Sequence, residues 1–85
     1  MYSKGQVVFS KSGRDKALPF IIVDSDEDYV YLADGKLRKL EKPKKKKKLH
    51  IQPCKDIAQE IKTKLENNLY LNDADLRKAL EPYRH

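Results

Sequence analysis

Gly5-Gln6-Val7-Val8-Phe9-Ser10-Lys11-Ser12-Gly13-Arg14-Asp15-Lys16, followed after Ala17-Leu18 by Pro19-Phe20-Ile21-Ile22-Val23, is the stretch that decides the fold. Two short runs rich in β-branched and aromatic residues flank a polar loop, the pattern of two strands. Gly13 can take the positive φ such a loop uses, and Pro19 is tolerated only at a strand start or on an edge. Asp24-Ser25-Asp26-Glu27-Asp28 reads as an acidic turn and Tyr29-Val30-Tyr31-Leu32-Ala33 as a third strand. Asp34-Gly35 then leads to Lys36-Leu37-Arg38-Lys39-Leu40, a fourth strand. Asp-Gly between two such runs is a strong hairpin signal, because a type I′ turn needs positive φ at both central positions. Leu49-His50-Ile51 reads as a short fifth strand. Five short strands at this spacing predict a small barrel, whose closure removes the exposed sheet edges.

The period changes after residue 53. Ile57, Ile61 and Leu65 recur at i, i+4 and i+8 with Ala58 beside them, one face of a helix that Asn67-Asn68 ends. Asn72 stands three residues before Asp75, an approximate capping box opening a second helix. Leu76, Ala79, Leu80 and Tyr83 form its apolar face, and Pro82 limits it. The expected fold is mainly β with C-terminal helices. A five-stranded barrel with a basic tail occupies 1–53, and an αα-hairpin in 54–85 packs on it.

The 85 residues make one small domain. Apolar residues are 39% and charged residues 38%, against about 45–50% and about 25% in an average soluble domain. The core is therefore small, and a large enclosed substrate cavity is not expected. No apolar run approaches the roughly 18 residues that span a bilayer, and the start of the chain is too polar for a signal peptide. Cys54 is the only cysteine, which excludes an intrachain disulfide and fits a small buried hydrophobe. The expectation is a soluble, cytoplasmic monomer. Catalytic material is scarce. His50 and Cys54 are only two ligands, too few for a zinc site. Three glycines form no phosphate loop, and the acidic turn lacks the spacing of a calcium loop. No enzyme, metal or cofactor is expected.

Charge is the informative feature. Nineteen Lys and Arg face thirteen Asp and Glu, a net +6. All the excess lies in 1–53, and most of it in 36–50, where Lys36, Arg38, Lys39, Lys42 and the run Lys44, Lys45, Lys46, Lys47 and Lys48 meet Glu41 alone. Such a local field attracts polyanions. Five adjacent lysines repel one another unless a counter-charge is near, and phosphates supply one with counterion release. Lys42-Pro43 and the following lysines also fit the loose pattern of a nuclear localisation signal.

The segment 5–23, continued through Asp28-Tyr29-Val30-Tyr31-Leu32-Ala33-Asp34-Gly35-Lys36-Leu37-Arg38-Lys39-Leu40 and its basic tail, resembles the KOW motif: a hydrophobic strand, a polar loop with glycine and a basic residue, then a second hydrophobic strand. Residues 5–51 are similar to the small bacterial KOW-domain RNA-binding proteins, which are similar in turn to the ribosomal protein L14e family. The resemblance implies an SH3-like barrel, RNA binding and a tie to translation through ribosomal RNA. KOW motifs also occur in transcription elongation factors, which implies the alternative of a protein-interaction module with a transcription or ribosomal partner. One position departs. Ala17 stands where the motif carries glycine, and a positive φ there costs alanine about 1 kcal/mol.

The candidate RNA contacts are Lys11, Arg14 and Lys16 in the first loop, Lys36, Arg38 and Lys39 after Asp34-Gly35, and Lys42 with Lys44, Lys45, Lys46, Lys47 and Lys48. Arg38 suits a planar, bidentate contact, and the lysines serve as point charges on the RNA backbone. The acidic turn should lie away from the RNA. Tyr29 and Tyr31 share a strand face and could stack on bases, although an aromatic core is the stronger reading. Phe9 and Phe20 are assigned to the core. The uncharged balance of 54–85 points to helices that enlarge that core.

Overall fold

The computed structural model describes residues 2–84. Three strands stand where the hydrophobic runs place them: β1 (Gln6–Ser10), β2 (Pro19–Ser25) and β3 (Tyr29–Ala33). Pro19 does begin its strand. The fourth and fifth strands do not match the sequence reading. β4 is Lys44–Lys47, the lysine run itself, and β5 is Ile51–Ile57 after a 3-10 turn at Lys48–His50.

Local hydrogen bonding explains the shift. Asp34 is buried, and its Oδ1 accepts the N–H groups of Lys36 at 2.9 Å and Arg38 at 2.8 Å. The N–H groups of Asp34 and Gly35 both donate to the Arg38 carbonyl. A short aspartate is well suited to capping a turn in this way. Gly35 has φ +79, but Asp34 does not share the positive φ that a type I′ hairpin needs. Residues 34–43 therefore form a loop, and the chain resumes as a strand only at Lys44.

The sheet is antiparallel, in the order β4-β3-β2-β1-β5. It has five strands, as expected, but is not closed: β4 and β5 are its two ends. Both faces are buried. Val8, Phe20, Ile22, Val30, Leu32 and Ile51 form one core. Val7, Ile21 and Ala33 form the other with Ile61, Leu76 and Leu80 of the helices. The strand alternation of period two sends Val7, Ile21 and Ala33 to one core and Val8, Phe20, Ile22, Val30 and Leu32 to the other.

The helices are α1 (Gln59–Glu66) and α2 (Asp73–Leu80). Ile57, read as helical, ends β5, and Ala58 is the residue before α1. Asn68 closes the first helix region with φ +52, a conformation that asparagine tolerates. The capping box at Asn72 and Asp75 is complete: the Asp75 N–H donates to Asn72 Oδ1 at 2.9 Å, and the Asn72 N–H donates to Asp75 Oδ2 at 3.1 Å. α2 stops at Leu80, before Pro82. Among the described residues no helix is long and apolar enough to cross a membrane. Phe20 is fully buried, Cys54 is partly buried, and Phe9 is half-buried edge-on to Tyr83.

Candidate nucleic-acid interface

Strand alternation divides the lysine run. The register pairs Tyr29 with Lys47, Val30 with Lys46, Tyr31 with Lys45 and Leu32 with Lys44. Directly opposed residues share a face. Lys44 and Lys46 thus lie on the side of the buried Val30 and Leu32, and Lys45 and Lys47 on the side of the two tyrosines.

Lys46 is only 7% exposed. Its Nζ donates to Ser10 Oγ at 2.6 Å, the Ser12 carbonyl at 2.9 Å and Asp15 Oδ1 at 3.2 Å. Lys44 Nζ donates to the other oxygen, Asp15 Oδ2, at 3.1 Å. Ser10 Oγ also donates to Asp15 Oδ1 at 2.9 Å. All three donors of the Lys46 ammonium are satisfied, so its burial leaves no polar group unpaired. Burial pushes the Asp15 carboxyl up, but hydrogen bonds from Lys44, Ser10 and Lys46, with the Lys46 charge, outweigh it and hold the group at about 2. Asp15 is the counter-charge the run needs, and it comes from the β1–β2 loop rather than from Glu41. This corrects the reading of Lys46 as a contact point: its ammonium is buried in the protein.

The remaining candidates are at the surface. Lys11, Arg14, Lys16, Lys36, Arg38, Lys39, Lys42, Lys45 and Lys47 are exposed, and Lys44 and Lys48 are partly so. Among the described residues none of those nine exposed cations takes part in an ion pair. Three chain segments converge on one groove of about 300 Å³, lined by Arg14, Asp15, Phe20, Leu37, Arg38 and Lys44. Arg14 comes from the first loop, Arg38 from the 34–43 loop and Lys44 from β4. Lys16 and Lys36 line an adjoining groove of about 670 Å³ with Leu18, Leu37 and Tyr83. Leu37, 60% exposed, lines both grooves.

The other end of β4 is different. Lys48 Nζ donates to the Glu27 carbonyl at 2.9 Å, and the Lys48 N–H donates to the Asp28 carbonyl at 3.0 Å. The acidic turn therefore adjoins the lysine run instead of lying away from it. Its own order comes from Asp26, whose Oδ1 accepts the N–H groups of Tyr29 and Asp28. The Tyr29 amide bond leads in holding the Asp26 carboxyl below its ordinary range, with further help from Asp28, Tyr31 and Lys45.

The tyrosines are not core. Tyr29 and Tyr31 are half-buried on the outer face, where Lys45 Nζ sits 4.3 Å from the Tyr29 ring centroid and the Tyr31 hydroxyl donates to Asp26 Oδ2 at 3.1 Å. Tyr83 belongs to a different region, edge-on to Phe9 with ring centroids 6.4 Å apart and bonded to Asp56, which pushes its hydroxyl up to about 12. The three tyrosines do not form one aromatic patch.

No protein-family model matches the chain, and no curated protein matches its sequence. The KOW likeness rests on the residues quoted for it. The residues that sequence reading missed are Ser10 and Asp15, which divide the lysine run into buried and free members. The period of two, applied to Lys44 to Lys47, contains that division, but nothing local reveals that 44–47 is a strand.

Proposed function

We propose that this chain is a non-catalytic RNA-binding module of KOW type, built on an SH3-like β-fold and acting in translation on ribosomal RNA. The observation that carries the reading is the convergence of Arg14, Arg38 and Lys44 on one groove; Asp15 holds Lys44 there, while among the described residues Arg14 and Arg38 have no carboxylate partner. The strand order β4-β3-β2-β1-β5 and the two-sided core support the SH3-like assignment. Arg38 provides the planar fork for a phosphate or base edge. Lys11, Lys16, Lys36, Lys39 and Lys42 neutralise flanking phosphates. Lys45, Lys47 and Lys48 extend the field along β4.

The test is chemical-shift perturbation of the labelled protein by a ribosomal RNA fragment at low and moderate salt. Shifts at 11–16 and 36–44 that weaken with salt are expected. With about five phosphates neutralised, log K falls against log salt with a slope of roughly −4 to −5. Arg38→Lys loses more affinity than any single lysine-to-alanine change in the set. Absence of shifts at low salt overturns the reading and transfers the surface to a protein partner.

A further inference from the structure

We propose that the outer edge of β4 accepts an extended acidic segment of another protein as a sixth strand. Hydrogen-bond phase is the first support. The Lys48 N–H donates to the Asp28 carbonyl, so the 28–48 pair is a hydrogen-bonded one, and in an antiparallel ladder such pairs recur every second residue. The bonded pairs of the β3–β4 register are then Val30 with Lys46 and Leu32 with Lys44. Tyr29 agrees: its N–H and carbonyl are engaged on the far side, by Asp26. Lys45 and Lys47 therefore direct their amides away from β3, and Lys45 its carbonyl as well. Both residues are exposed, and among the described residues neither amide has a partner outside the β3–β4 ladder.

The opposite edge of the sheet is closed to the same event. The Lys11 N–H donates to the His50 carbonyl, which makes Phe9 with Gln52 a bonded pair and turns Ile51 and Pro53 outward. Pro53 has no amide to offer, and the register is interrupted between Gln6 and Val8. A proline and a bulge both block strand addition. β4 keeps every amide and is guarded only by charge.

That guard selects the occupant. A second copy would bring its own lysine strand against this one, or the proline-blocked β5; the first is repelled and the second lacks an amide. Residues directly opposite Lys45 and Lys47 on an added strand fall on the same outer face as their side chains, so alternating Asp or Glu there meets two ammonium groups. Asp24 and Asp26 lie on the β2 side of β3, one strand further in. The occupant is thus an extended peptide with carboxylates at alternate positions. This inference stands apart from the RNA reading: it rests on backbone amides that phosphate contacts do not need.

The experiment titrates the full chain with the acetylated, amidated peptide Val-Glu-Val-Glu-Val-Glu-Val and follows amide hydrogen exchange by NMR. At saturation the Lys45 and Lys47 amides should slow by about tenfold, while Lys44 and Lys46, already laddered to β3, change less than about twofold. Lys47→Ala should weaken binding by about threefold and Lys47→Pro by about tenfold more, since only the second removes an amide. Lys47 has φ −65, which proline adopts without strain. Equal affinities of the two variants would reduce the effect to charge and overturn the proposal. So would undiminished binding of the same peptide with alternate amides N-methylated, a comparison that needs no variant to fold. A ribosomal RNA fragment run in parallel should lose equally to Lys47→Ala and Lys47→Pro; if RNA, and not the peptide, protects the two amides, the edge belongs to RNA and the proposal fails.

Discussion

The Asp15 carboxylate lies between two ammonium groups, Lys44 at 3.1 Å and Lys46 at 3.2 Å. Its pKa falls from the ordinary 3.8 to about 2 on folding. A lowered acid stabilises the fold above its unfolded pKa, and that stabilisation disappears as pH drops through the folded value. Asp15 therefore contributes about 2 kcal/mol above pH 4, lost progressively between about pH 4 and pH 2. Urea unfolding of wild type and Asp15→Asn should show the variant less stable at pH 6, with the gap narrowing towards pH 2. A constant gap would remove the ionic part of this account. Ala17 carries a second local strain, with φ +70 at an exposed position. An L-residue in that region loses about 1–2 kcal/mol, part of which glycine gives back through its freer unfolded chain. Ala17→Gly should stabilise by about 0.5–1 kcal/mol and raise Tm by a few degrees, read by thermal unfolding. Ala17 is the position where the sequence departs from the glycine of the motif it resembles, and glycine takes such a φ without strain.

As a strand, β4 gives identical residues unequal work. Lys46→Ala leaves Asp15 with one ammonium fewer and opens a buried space, and should destabilise by about 2–3 kcal/mol. Lys45→Ala and Lys47→Ala touch only the surface and should stay within about 0.5 kcal/mol. Chemical denaturation of the three variants checks this, and equal losses would mean the run is solvated throughout. β1, β2 and β3 were legible because each is a short apolar run bounded by turn residues. β4 was not, since lysine has weak strand preference and its partner Asp15 is about thirty positions away. The reading of 36–40 as a strand failed for a local reason: the Asp34 side chain offers the backbone a turn in competition with a ladder. The capping box was legible because its two members are three residues apart.

Across the molecule, the helices hold the loop that carries Arg38. Arg77 Nη1 donates to the Gly35 carbonyl at 2.6 Å, and the Leu40 N–H donates to Asp73 Oδ1 at 2.8 Å. Arg84 lies 3.8 Å from Asp34. A Cβ at Gly35 would collide with the Asp73 carbonyl oxygen, at a φ that L side chains already resist. Gly35→Ala should cost at least about 2 kcal/mol and broaden the amide signals of 36–40 as α2 is pushed from the loop. Spectra identical to wild type in 36–40 would show that α2 does not brace the site. The helices were expected to enlarge the core, and Ile61, Leu76 and Leu80 do join Val7, Ile21 and Ala33. Their grip on the basic loop was invisible, because backbone carbonyls and amides have no signature in a sequence.

Hydrophobic patterning, which acts over a few residues, was enough to establish a mainly β chain, three of its strands and two C-terminal helices, and the placement of Lys and Arg showed a concentration of positive charge ahead of them. Those features depend on neighbours within a turn or a strand. Which lysines remain free, which edge stays open and which cations share a groove depend on Asp15, Pro53 and the 34–43 loop meeting distant partners. Such meetings are set by strand order and register, and only the folded chain holds them.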